Sequence, residues 1–385
     1  MTGFCKYPAA ISLLATITFN LSAQTLPVRD NSDRFGLLEE LYMPAIRNVR
    51  PIFGIRDTLS VMVIGDVMMH ARQLQYNYNE FLRPIEHLIS KADLAVANME
   101  FTLAGEPYSG YPAFSAPDGY ARYAARCGID IFLTANNHIL DKGKKGLERT
   151  MDIYDRMQEE GLIKYTGISR SKEDEALNYP LIIPLKEIRI ALLNFTYGTN
   201  SSIREGRPKV NLIDKADIMG AIKRAKAKNA DYIIALPHWG NEYILKHSDA
   251  QEELALWLAE NGVDMIVGSH PHVVQDSTVI IATDGRAVPV FYSVGNAVSN
   301  MSATNTRLEL AVNIRIVKEP DGSSRMIEPT VKFLWCTLPG KLFDNFGTIS
   351  VSEYLDRHEE WIDKADYNNM KATYRRVKDA TGIKD

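Results

Sequence analysis

From residue 57 onward, short apolar runs alternate with longer amphipathic stretches, and that alternation leaves few ways to fold the chain. The runs span 59–64, 94–97, 129–133, 188–193, 232–236, 265–267 and 288–292, most of them rich in Val and Ile. Between them lie helix-like segments at 79–90, 119–127, 144–160, 215–228 and 249–261. Strands that are apolar throughout, each leading into a helix, predict an α/β fold with a mainly parallel sheet covered on both faces. After Tyr292 the pattern changes. Residues 307–317 and 330–335 alternate as half-exposed strands do, around a turn at Glu319-Pro320-Asp321-Gly322, and 352–384 reads as one or two charged amphipathic helices.

The 385 residues, 45% of them hydrophobic, are enough for a sizeable core. Lys and Arg number 44 against 48 Asp and Glu, for a net charge of −4. With no basic surplus to grip a polyanion, duplex nucleic acid is not expected as a main partner. Three cysteines cannot make a framework of disulfides, so soft-ligand chemistry falls to the eight histidines.

The stretch 7–28 carries no charged residue, Lys6 precedes it, and an apolar run at 9–19 ends near Leu21-Ser22-Ala23-Gln24. This reads as a secretory signal peptide, residues 1–23, on an exported, periplasmic or envelope-associated protein. The run is short of the about 20 residues that span a bilayer, and an uncleaved N-terminal anchor is the alternative. Cys127 and Cys336, which remain after cleavage, are expected as free buried thiols. The chain then divides into an approach segment at 24–56, one large domain at 57–340 and a C-terminal helical appendage at 341–385.

The functional signal lies at the strand ends. The first run enters Gly65-Asp66, the second Asn98-Met99-Glu100, the third Asn136-Asn137-His138 with Asp141 behind it. Later runs enter His238-Trp239-Gly240-Asn241-Glu242, Gly268-Ser269-His270-Pro271-His272 and Ser293-Val294-Gly295-Asn296. Ligands of open α/β sheets bind beyond the carboxyl ends of parallel strands, so these six segments are expected on one rim. Taken singly, each has an ordinary reading, such as a helix cap at Asp66. Together, six strand ends bearing Asp, Glu, Asn and His make a metal-site inventory, and mixed oxygen and imidazole donors suit manganese, iron or zinc better than a lone magnesium. His70, His87, His247 and His358 fall outside the pattern.

In their order and wording these six motifs resemble the CapA family, the capsule-synthesis or poly-γ-glutamate-biosynthesis proteins, a branch of the calcineurin-like metallophosphoesterase superfamily. The resemblance covers roughly residues 58–300. It implies a four-layer α/β/β/α sandwich, with the alternating strands after 305 in a second, partly antiparallel sheet. It also implies one or two divalent ions held by Asp66, Glu100, Asn137, His238, His270 and His272, with His138 protonating a leaving group and Asp141 orienting it. Asn98, Asn136, Glu242 and Asn296 are assigned to substrate. One departure stands out: Met68 occupies the place where phosphoesterases usually carry a histidine. Either one ion is held by fewer ligands, or His70 or another residue fills the gap. The expected function is a metal-dependent hydrolase of phosphoester or γ-glutamyl amide bonds in capsule or poly-γ-glutamate metabolism. Its partners would be a polyanionic capsule polymer or a small phosphoester, together with envelope or capsule-assembly proteins. The alternative is a non-catalytic polymer-binding or export factor, for which Arg72, Arg204, Arg207 and Lys209 offer positive charge.

Overall fold

The computed structural model describes residues 58–385 apart from 203–205, 207 and 320. The signal peptide and the approach segment expected at 1–56 therefore lie outside the described residues, as do Arg204 and Arg207. Seven strands form a first sheet: β1 (Thr58–Val67), β2 (Leu94–Met99), β3 (Ile131–Leu133), β4 (Lys164–Thr166), β13 (Leu308–Lys318), β14 (Ser324–Thr337) and β15 (Gly347–Ser350). They lie in the order β15-β14-β13-β1-β2-β3-β4, parallel from β1 to β4 and antiparallel on the other side. Six strands form a second sheet: β6 (Leu181–Leu185), β7 (Ile188–Thr196), β9 (Tyr232–His238), β10 (Met265–Val267), β11 (Ser277–Ile281) and β12 (Ala287–Phe291), ordered β11-β12-β10-β9-β7-β6. Its four central strands are parallel. Two short strands, β5 (Ile168–Ser169) and β8 (Lys209–Val210), pair with each other.

The single sheet implied by periodicity alone is thus two sheets, and the reason is visible in their faces. Successive side chains of a strand point to opposite sides, so a strand buried on both reads as one apolar run whichever layer covers it. Val61, Val63, Val96 and Ile131 of the first sheet meet Ile190, Leu192, Ile234 and Val267 of the second. The opposite face of the first sheet, with Met62, Ile64, Ala97 and Phe132, packs on helices α1 (Asp118–Arg126) and α2 (Gly143–Glu159). After α3 (Lys172–Asn178), the helices α4 (Lys215–Ala227) and α5 (Asp249–Glu260) cover the far face of the second sheet through Ile218, Ile222, Leu254 and Leu258. The result is the four-layer α/β/β/α sandwich.

Two local expectations give way. The helix read over 79–90 is a series of short 3-10 turns ending in one helical turn at Glu86–Ile89, because Pro84 removes a backbone donor in its middle. Residues 341–385 are not helical throughout: β15 extends the first sheet before the long helix α6 (Lys364–Thr381). That helix adds Tyr367, Met370 and Val377 to the core between the sheets, and Asp366 receives both guanidinium nitrogens of Arg307 at 2.6 and 2.7 Å. Cys127 and Cys336 are free and buried.

Candidate metal centre

The parallel strands of the two sheets end on the same rim, and the chain comes very close to itself there. A Cβ on Gly65 would lie 1.9 Å from the Gly295 carbonyl oxygen, so only glycine lets β1 lie against the turn after β12. In that packing the Asp66 N–H donates to Gly295 O at 3.0 Å. Asn194 of β7 ties the sheets together. Its Oδ1 accepts from the backbone of Thr134 and Ala135 at 3.0 and 2.8 Å, and its Nδ2 donates to Leu236 O at 2.8 Å. The loop bearing Asn136, Asn137 and His138 is thereby fixed against β9, which ends in His238.

Glu100 sits at the centre. Its Oε1 lies 3.9 Å from His138 Nε2, 4.0 Å from His238 Nε2 and 3.8 Å from His272 Nε2, and this buried oxygen has no hydrogen-bond partner. These separations are too long for hydrogen bonds. For His238 and His272 they suit donors that share an ion with Glu100, since two ligands bound at about 2.0–2.2 Å sit no more than about 4.4 Å apart. Asp66 approaches from the other side, with Oδ2 3.5 Å from His272 Nδ1 and Oδ1 4.0 Å from His238 Nδ1. His238 Nε2 lies 2.8 Å from Asn137 Oδ1. His270 is buried, and its Nδ1 also lacks a partner. Among the described residues, two groups offer donor atoms that all lie within 4.8 Å of one another: Asp66, Glu100 and His238, all buried, and Glu242, His270 and His272, of which Glu242 is exposed. Unpartnered buried oxygen and nitrogen atoms among converging carboxylates and imidazoles fit a divalent cation.

The electrostatics agree with that donor set. Burial and the neighbouring Asp66 carboxylate push Glu100 well above the usual carboxylate range. Burial and the nearby His270 hold His238 well below the usual imidazole value. Burial works against charge on His272 as well, but Glu100 and Asp66 outweigh it and push the ring up to about 9. Negative charge packed this closely favours a cation.

Three of the four residues assigned to substrate are buried beside the ligating side chains. Asn98 is buried and donates to Asp66 Oδ1 at 2.7 Å, with Glu100 Oε2 at 3.3 Å. Asn136 donates to Asn98 Oδ1 and Met99 O, and its own Oδ1 accepts from the His138 N–H. Asn296 Oδ1 accepts from His272 Nδ1 at 2.9 Å, while its Nδ2 donates to Thr306 O. These three amides are spent on their neighbours and orient the donors, as groups behind metal ligands do. Glu242 alone of the four faces outward.

His138 Nδ1 donates to Asp141 Oδ2 at 2.7 Å, which leaves Nε2 directed toward Glu100. Phe114 packs its ring against His138, with centroids 4.6 Å apart, and its N–H donates to Asp141 Oδ2. Met68 is buried in the apolar cluster beneath α1. His70 is in neither of the two converging donor groups: its Nδ1 accepts from the Asn300 N–H at 3.2 Å, and its ring stands edge-on to Phe114. Lys209, one of the four basic residues considered for polymer binding, is paired with Glu175 and Asp217 at 2.7 Å each.

Some participants were given no role from the sequence. Ser269 Oγ lies 2.9 Å from His238 Nδ1, Asn200 Nδ2 lies 3.1 Å from His138 Nδ1, and Tyr197 packs its half-exposed ring on His270 at 4.5 Å. Glu309 on β13 is fully buried, and its Oε1 accepts from the Gly65 N–H at 2.7 Å. Burial pushes its carboxyl up to about 8, the Gly65 bond opposes this and Asp66 adds to it. A folded value above the ordinary 4.5 means the folded chain keeps an extra proton between the two. The stabilisation is complete below that lower value and is lost as pH rises through 8. In metal-free protein, Glu309→Gln is therefore expected to flatten the fall in the urea midpoint between about pH 5 and about pH 8.5. An unchanged pH dependence would contradict the role given to Glu309.

Comparison with known proteins places these features in context. The family model described as "Bacterial capsule synthesis protein PGA_cap" matches residues 60–301. The chain is 27% identical over 266 residues to a capsule biosynthesis protein CapA of Bacillus anthracis, covering 65% of this chain and 62% of that relative, so it spans less than two thirds of the relative's length. It is 26% identical over 281 residues to a PGA biosynthesis protein CapA of Bacillus subtilis strain 168, covering 69% of this chain and 70% of the other. Among solved structures, the NAD nucleotidase of Haemophilus influenzae aligns with a TM-score of 0.46 at 14% identity, over 84% of this chain and 68% of its own.

Proposed function

Because the chain belongs to the bacterial capsule synthesis protein family PGA_cap, we propose that its rim is a divalent-metal hydrolytic centre serving capsule or poly-γ-glutamate metabolism. The bond cleaved is a phosphoester or a γ-glutamyl amide, in a capsule polymer or a small phosphoester. The observation that supports this reading is the unpartnered Glu100 Oε1 with the Nε2 atoms of His238 and His272 at 4.0 and 3.8 Å and that of the acid His138 at 3.9 Å. Asp66, Glu100, Asn137, His238, His270 and His272 would hold one or two ions, and the mixed donors favour manganese, iron or zinc. A bound ion would supply Lewis-acid polarisation of a phosphoryl or carbonyl oxygen.

The protein's own groups do the rest. Asp141 fixes the ring of His138 so that Nε2 faces the centre and can give its proton to the leaving group. Asn98, Asn136 and Asn296 keep the ligating side chains in place. We place the work outside the cytoplasm, alongside envelope or capsule-assembly proteins, on the strength of the uncharged N-terminal stretch. Among the described residues, no helix is long and apolar enough to cross a membrane.

Purified protein is expected to contain a transition metal. It should also hydrolyse bis(p-nitrophenyl) phosphate or poly-γ-glutamate, with activity lost to a chelator and restored by manganese or zinc. Protein that takes up no metal, or that binds the polymer without cleaving either substrate, would overturn the reading.

A further inference from the structure

The missing first-motif histidine leaves a coordination deficit, and the structure points to its replacement. Met68 is buried among apolar side chains, and His70 spends its Nδ1 on the Asn300 N–H. His70 belongs to neither converging donor group. Resting on the metal-centre reading above, we propose that Glu242 closes an outer divalent-cation position together with His270 and His272, beside an inner position formed by Asp66, Glu100 and His238.

Three observations carry this. The donor atoms of Glu242, His270 and His272 all lie within 4.8 Å of one another, one carboxylate and two imidazoles, which is the donor number and type of open metal sites. His270 Nδ1 is buried and has no hydrogen-bond partner, so an acceptor-capable nitrogen is held out of water. Finally, the loop carrying Glu242 is bonded to the turn carrying the histidines: the Tyr243 N–H donates to Pro271 O at 2.9 Å. Tyr243, His270 and His272 have φ of 66°, 101° and 58°, a region that side chains other than glycine seldom adopt. These turns accompany the approach of Glu242 to the two imidazoles, whose donor atoms lie within 4.8 Å of its carboxylate.

The two positions then differ in access. Every inner ligand is buried, whereas the outer one includes an exposed carboxylate. An ion held by the inner group would be shielded from solvent, and one held by the outer group would exchange more readily. The loop after β9 would thus supply from the second sheet what β1 of the first sheet lacks at Met68.

The test is metal uptake, independent of turnover. Full-length protein freed of metal by chelation is titrated with manganese, and separately with zinc, by calorimetry, and the ions retained are counted by elemental analysis. The wild-type chain should take up two ions in a tight and a weak class. Glu242→Gln should keep the tight class and lose the weak one, or weaken it at least about tenfold. His70→Ala should match the wild type. The proposal is overturned if Glu242→Gln keeps both classes at wild-type affinity, if the wild type binds only one ion, or if His70→Ala is the variant that loses the weak class. A wild type that binds none overturns the metal centre itself. Since Glu242 is exposed, an unchanged melting curve of its variant is expected to accompany the loss.

Discussion

Glu100→Gln is expected to empty the buried position and to lower kcat/KM by at least about a thousandfold, equivalent to about 4 kcal/mol of transition-state stabilisation. The substitution keeps the volume and shape of the side chain, so the packing around it survives. What it removes is the negative charge facing His138, His238 and His272 at 3.8–4.0 Å. A neutral amide in its place also offers one oxygen where the carboxylate offers two. Elemental analysis and phosphodiester turnover on the same sample check this. Metal content and rate within tenfold of the wild type, in protein that melts normally, would remove Glu100 from the centre.

His138→Gln is the second large effect, of a different kind. General acid catalysis contributes typically about 10²- to 10⁴-fold, and that loss should occur while the metal content stays at the wild-type level. The proton matters only when the departing oxygen or nitrogen is basic. The rate loss should therefore be near the upper end of that range for an alkyl phosphodiester or an amide, and much smaller for a p-nitrophenyl ester, whose leaving group departs as a stable anion. A loss of equal size on both substrates would show that His138 positions or binds rather than protonates. The pairing of Nδ1 with Asp141 at 2.7 Å accounts for the expected selectivity, since it commits the ring to one orientation.

The rim was readable in the sequence because parallel strands buried on both faces are apolar to their ends and then stop abruptly at polar residues. β1 runs into Asp66, β9 ends in His238 and β10 leads to His270, so donors appear wherever an apolar run breaks off. Side chains that serve the site from other positions gave no such mark. Glu309 lies inside β13, where alternation reads as a solvent-facing acid, yet it is fully buried and bonded to the Gly65 N–H. Asn194 looked like one polar residue at the end of a strand, although it bonds both sheets. Asn98, Asn136 and Asn296 were recognisable as members of the site, but their task was not. An amide drawn toward substrate and one turned back on a ligand look alike until its hydrogen bonds are known. The division into two sheets was hidden for a related reason, since an apolar strand does not record which layer covers it.

The pairing of β1 with β13 bears on how the protein is made. β1 holds the first donor and lies at the centre of its sheet, with β2 on one side and β13 on the other, where Thr58 faces Val317. A ribosome delivers β1 early and β13 only after some 250 further residues, a separation that slows the closing of such contacts. Until then the emerging chain carries an open strand edge and half of an acidic site whose histidines at 238, 270 and 272 are still being synthesised. Chains released before about residue 318 would therefore leave β1 unpaired on that side. The donors of the rim are all present once His272 has been made, but β1 gains its second neighbour only with β13.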